Sequence, residues 1–68
     1  MTVRFAVLGA GRIGQVHADA IASVPGAVLV AVTDAMPAAA QAVADKHGCE
    51  IRDMAQIEAA SDIDAVVI

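Results

Sequence analysis

The sequence predicts an α/β fold in which helices wind over both faces of a parallel sheet, and three observations predict it. Apolar runs of strand length alternate with helical periods along the chain. A glycine-rich turn, Gly9-Ala10-Gly11-Arg12-Ile13-Gly14, separates the first apolar run from the first helical period. Asp34 closes the second apolar run.

Taken in order, Val3 to Leu8 reads as a buried strand because its apolar side chains fall on both faces. Glycines end it. A helix follows in which Ile13, His17, Ala20 or Ile21, and Val24 are expected to form one inward stripe, until Pro25-Gly26 stops it. Ala27 to Thr33 is a second buried strand. Pro37 suits the first turn of the next helix, Ala38 to Lys46 supply good helix formers, and Gly48 stands where a left-handed cap stops them. A short third strand is expected around Cys49 to Arg52. Asp53 and Gln56 have the spacing of a reciprocal helix-start cap, with Met54, Ile57 and Ala60 as the apolar stripe of a short third helix. Ala65 to Ile68 reads as a fourth buried strand. The succession β-α-β-α-β-α-β is the N-terminal half of a Rossmann-type doubly wound sheet, whose fourth strand lies beside the first, opposite the second.

Length and composition bound the rest. A chain of 68 residues is short for a self-sufficient core, and of its 59% apolar residues only Phe5 is aromatic while many are alanine, so the core should be thin. Residues 1–68 are therefore expected to be the N-terminal part of a nucleotide-binding domain. The remaining sheet and a substrate domain are expected beyond Ile68, and these residues alone should form neither a stable monomer nor a catalyst. Eight acidic and four basic side chains give a formal net charge of -4, and the cations Arg4, Arg12, Lys46 and Arg52 are scattered. That pattern offers no footprint for nucleic acid or an anionic membrane. The N-terminal apolar run is cut by glycines well before membrane-spanning length and carries no convincing export signal. The single Cys49 fits a reducing compartment, and the cytoplasm is expected.

The chemistry sits in the turn. In a GxGxxG segment between strand and helix, the first glycine (Gly9) permits the tight turn, the second (Gly11) clears the path of a pyrophosphate, and the third (Gly14) lets the helix approach closely. Amides at the helix start, including those of Arg12 and Ile13, then face the phosphates with the positive end of the helix dipole behind them. Asp34 follows Gly14 by twenty residues, and a carboxylate there can accept both hydroxyls of an adenine ribose while repelling a 2′-phosphate. Ala35, Met36 and Pro37 offer no arginine to offset that repulsion, which favours NAD over NADP. The acid alone does not separate a nicotinamide from a flavin dinucleotide, and glycine turns that bind nothing also exist. The Arg12 guanidinium could reach the phosphates or remain solvated. His17 reads as a packing residue, His47 as a favourable helix-end residue and Cys49 as a small buried one; their spacing makes no metal motif.

The continuation Gly9-Ala-Gly-Arg-Ile-Gly14-Gln15-Val16-His17, with Asp34-Ala35 and the ending Asp62-Ile-Asp64-Ala-Val-Val-Ile68, resembles the N-terminal part of the glucose–fructose oxidoreductase and inositol dehydrogenase superfamily over essentially the whole chain. The resemblance implies an NAD-dependent dehydrogenase that oxidises a secondary alcohol of a polyol or sugar, with inositol foremost. It also implies a second domain built on a large antiparallel sheet, which with a lysine beyond the fourth strand supplies the catalytic groups. None of those groups is in this chain; the residues carried over are Gly9, Gly11, Arg12, Ile13, Gly14 and Asp34. The intact protein is expected to be a homo-oligomer. An NAD-sensing module without turnover would use the same residues.

Overall fold

The structure, a computed structural model, describes residues 2–68. Its elements are β1 (Val3–Leu8), α1 (Arg12–Ser23), β2 (Ala27–Thr33), α2 (Pro37–His47), β3 (Glu50–Ile51), α3 (Met54–Ala59) and β4 (Ala65–Val67). The four strands are parallel and ordered β3-β2-β1-β4, so the chain winds outward from β1 first to one side and then to the other. This is the expected first half of a doubly wound sheet, and it brings the ends of β1 and β2 together at one rim.

Local signals set most boundaries. Pro37 occupies the first turn of α2, and Gly48 ends that helix at φ +71, its N–H donating to Ala44 O at 2.7 Å. Asp53 and Gln56 form the reciprocal cap: Gln56 N–H donates to Asp53 Oδ1 at 2.7 Å, and Asp53 N–H to Gln56 Oε1 at 2.9 Å. The expected stripe of α1 is corrected. Ile21 is buried and His17 half-buried as expected, but Ile13, and Val24 just past the helix end, are 66% and 53% exposed, while Ala18 is buried and Gly14 half-buried. The buried side is shifted toward Ala18, with Gly14 facing the turn before the helix.

The two faces are unequal. Helices α1 and α2 cover one face with Ala18, Ile21, Ala40 and Val43 packed on Val7 and Val32. Helix α3 covers the other through Ile57 over Ala6 and Ala31, flanked by Leu8, Val30 and Ile63. The β1–β2 register slips between Phe5 and Ala6, which pair with Leu29 and Ala31. That irregularity leaves Val30 without a counterpart and sends both Val30 and Ala31 to the α3 face, a departure from simple alternation.

Charged pairs fasten the outer elements. The Arg4 guanidinium donates to both oxygens of Asp64 at 3.0 Å, and Asp64 N–H donates to Arg4 O, which joins the loop before β4 to β1. Arg52 forks onto Asp62 with two bonds of 2.8 Å and also contacts Glu50. These pairs give sharply directional, charge-assisted bonds. Asp19 of α1 accepts Lys46 and His47 of α2 at 2.9 Å. β4 is outermost among the described strands on its side of β1; Val66 is 48% exposed, and Ile68, just past the strand, 89%. No helix among the described residues is long and apolar enough to cross a membrane.

Candidate functional site

The three glycines at the rim differ in what the fold demands of them. Gly9 holds φ +103, a backbone state that residues with a Cβ rarely adopt. Gly14 is required by sterics: a Cβ on it would stand 1.8 Å from Gly9 O. Gly11 is required by neither. Its φ of -70 and ψ of -164 suit any residue, and a Cβ there would meet nothing within 4 Å. The chain's own packing gives no reason for a glycine at position 11; what it preserves is open space in front of the helix.

That space lies at an uncapped helix start. Gly11 is the N-cap of α1, no side chain caps the helix, and its first turn carries no acid. Gln15 N–H bonds back to Gly11 O at 2.9 Å, so the amides ahead of it in the first turn point out of the helix end rather than into it. An anion is the natural partner of such an end. A cleft of about 380 Å³ runs along it, lined by Leu8, Gly9, Gly11, Arg12, Ile13, Gly14, His17 and Ile68.

Asp34 stands at the end of β2, against this turn. Its Oδ2 accepts the Ala10 amide at 2.6 Å, and its Oδ1 accepts the Met36 amide at 2.7 Å. These two amides, Ala10 foremost, hold the carboxyl below the usual carboxylate range. Each oxygen keeps further acceptor capacity for a ligand hydroxyl. Gly9 N–H adds a bond to Thr33 O at 2.8 Å, so the turn is tied twice to the end of β2. The bond between Asp34 and Ala10 is not evident in sequence; only the adjacency of β1 and β2 brings residues 10 and 34 within reach.

The other predicted residues are also placed. Arg12 is exposed at the cleft, as is Ile13, and His17 is half-buried along it. His47 lies in the last turn of α2 with Nε2 2.9 Å from Asp19 Oδ1. Cys49 packs at the edge of the larger core cluster, and burial raises its thiol pKa.

A parallel sheet in this order, with a glycine turn leading into a helix and an acid at the end of the neighbouring strand, defines the Rossmann class of nucleotide-binding folds. Residues 3–68 match the model of the oxidoreductase family with an NAD-binding Rossmann fold, and the chain belongs to that family. It is 65% identical over 68 residues to the inositol 2-dehydrogenase of Rhizobium meliloti, covering 100% of this chain and 21% of that protein. A myo-inositol dehydrogenase structure from Corynebacterium glutamicum superposes with a TM-score of 0.91 at 42% identity, covering 100% of this chain and 21% of that one. Another, from Lactobacillus casei in complex with NAD(H) and myo-inositol, superposes with a TM-score of 0.89 at 34% identity, covering 97% and 21%. The chain thus spans about one fifth of the length of the relatives it matches.

Proposed function

We propose that these residues form the cofactor-holding N-terminal part of an NAD-dependent dehydrogenase that oxidises a secondary alcohol of a ring polyol, myo-inositol foremost. Gly11 is the observation that carries the reading. It is a glycine that neither backbone strain nor internal packing demands, at a helix start with open space before it. A pyrophosphate approaching the backbone supplies the missing reason. Gly9 shapes the turn, Gly14 seats the helix, and the amides from Gly11 through Gly14, those of Arg12 and Ile13 among them, face the phosphates. Asp34 accepts the adenine-ribose hydroxyls and its charge disfavours a 2′-phosphate.

NAD, when bound, supplies the hydride acceptor at its nicotinamide ring. This chain's part is to fix that cofactor in position, since orientation of the reacting partners is itself a large share of such a rate enhancement. Proton transfer and polyol recognition belong to residues outside 1–68, in a substrate domain of the intact protein. The relatives named for inositol oxidation support the substrate class. A cytoplasmic setting suits the lone, partly buried Cys49.

The test is an assay of the intact protein for NADH formation with myo-inositol, scyllo-inositol and several sugars, each with NAD and with NADP. Turnover with NAD and a ring polyol is expected. Tight NAD binding without turnover on any polyol would instead make the protein a nucleotide-responsive module. Light scattering on the same preparation checks the expected homo-oligomer.

A further inference from the structure

The glycine turn has little stiffness of its own. Ala10 lies between Gly9 and Gly11, two residues with wide backbone freedom, and the side-chain bond from Gln15 Nε2 to Ala10 O is long at 3.5 Å. What fixes the turn is the buried Ala10 methyl, the Gly9 N–H bond to Thr33 O, and the 2.6 Å bond from the Ala10 amide to Asp34 Oδ2. Of the two hydrogen bonds, only the last is made by a side chain. Asp34 is itself braced, because its other oxygen accepts the Met36 amide and closes a local turn.

We propose that Asp34 is a positioning residue for the phosphate-binding turn as well as the ribose acceptor. By gripping the Ala10 amide, it holds the amides of Gly11 to Gly14 in register for a pyrophosphate. This rests on the reading of the cleft as a dinucleotide site and extends it. Ribose recognition and phosphate recognition are then one mechanical unit. A substitution at Asp34 weakens the grip on the diphosphate even of a ligand with no ribose hydroxyl to offer, since a turn that must be ordered on binding gives up affinity.

The experiment uses the intact protein and two ligands, NAD and an NAD analogue lacking both adenine-ribose hydroxyls. Asp34→Ser keeps an oxygen for the local turn at Met36 but cannot span to Ala10. Asp34→Glu keeps the charge but displaces it by one methylene. Asp34→Asn keeps one acceptor of the right length but loses the charge and can accept only one of the two amides. The Ser and Glu variants should bind the analogue at least about tenfold more weakly than wild type, the lower end for one hydrogen bond to a charged group, while Asn falls between them and wild type. Amide hydrogen exchange gives a readout independent of any ligand. The Ala10 amide should exchange at least about tenfold faster in the Ser and Glu variants, with Val7 and Val32 amides unchanged. Analogue affinity or Ala10 exchange at wild-type level in both folded variants overturns the positioning role alone. A wild-type protein that binds neither dinucleotide overturns the cofactor reading and this inference together.

Discussion

Gly14 faces Gly9 so closely that a Cβ at position 14 would lie 1.8 Å from the Gly9 carbonyl oxygen. The obstacle is backbone, which no rotamer change can move aside. Gly14→Ala must therefore push the start of α1 away from the end of β1. We expect a loss of about 1–3 kcal/mol in stability, the range for overpacking a tight site, with weaker NADH binding. Urea unfolding of the intact protein and a fluorescence titration measure both.

Gly11→Val should behave in the opposite sense. Its extended backbone suits a β-branched residue and the added side chain meets no protein atom. Stability should stay within about 1 kcal/mol of wild type, because only a modest N-cap preference is lost. NADH affinity should fall by about tenfold or more as the side chain enters the pyrophosphate path. A folded variant with unchanged affinity would remove the phosphates from this turn.

Cofactor choice follows from the charge at Asp34. The intact protein should bind NAD at least several-fold more tightly than NADP in isothermal titration. The double variant Asp34→Ser, Ala35→Arg should narrow or reverse the ratio, since it removes one negative charge and adds a positive one beside the 2′ position. Because the Ala10 tether is lost too, the absolute NAD affinity should drop. Equal affinities in the unmodified protein would sink the ribose assignment.

Acid should destabilise the protein over a defined window. Asp19, Asp34, Asp62 and Asp64 are all held below their ordinary value of 3.8, chiefly by Lys46, the Ala10 amide, Arg52 and Arg4 respectively. A carboxylate whose folded pKa is depressed contributes its stability above the unfolded value, and that contribution drains away as pH falls through the folded one. The urea midpoint should therefore be nearly flat from pH 7 to about 5 and decline below about 4. Asp64→Asn should make the decline shallower, a change that a pH series of unfolding curves would detect.

The α3 face should be sensitive to a single truncation. Ile57 is 6% exposed and is the one large side chain among the buried residues there, beside Ala6 and Ala31. Ile57→Ala should cost about 2–4 kcal/mol, and Ile57→Val about 1 kcal/mol. Denaturant unfolding distinguishes the two, and equal midpoints for Ala and wild type would mean that this face contributes little.

The sequence by itself determined whatever is encoded within a few residues. The apolar runs that became β1 and β2, Pro37 at the start of α2, the left-handed stop at Gly48, the Asp53–Gln56 cap and the glycine turn were all legible because their causes are dihedral preferences and bonds spanning at most four positions. The candidate site was legible for the same reason, as a glycine spacing plus an acid at a strand end. Tertiary structure decided what depends on partners far along the chain. Hydrophobicity places Ile21 and His17 on the inner side of α1, but that Ala18 is buried and Ile13 exposed depends on Gly14 lying against Gly9. The Val30 irregularity exists only in the pairing of β2 with β1. Arg4 finds Asp64 across sixty positions, and Asp34 finds the Ala10 amide across twenty-four. No local periodicity records such meetings, because they arise from the sheet order and register, and those are fixed only when all four strands are in place.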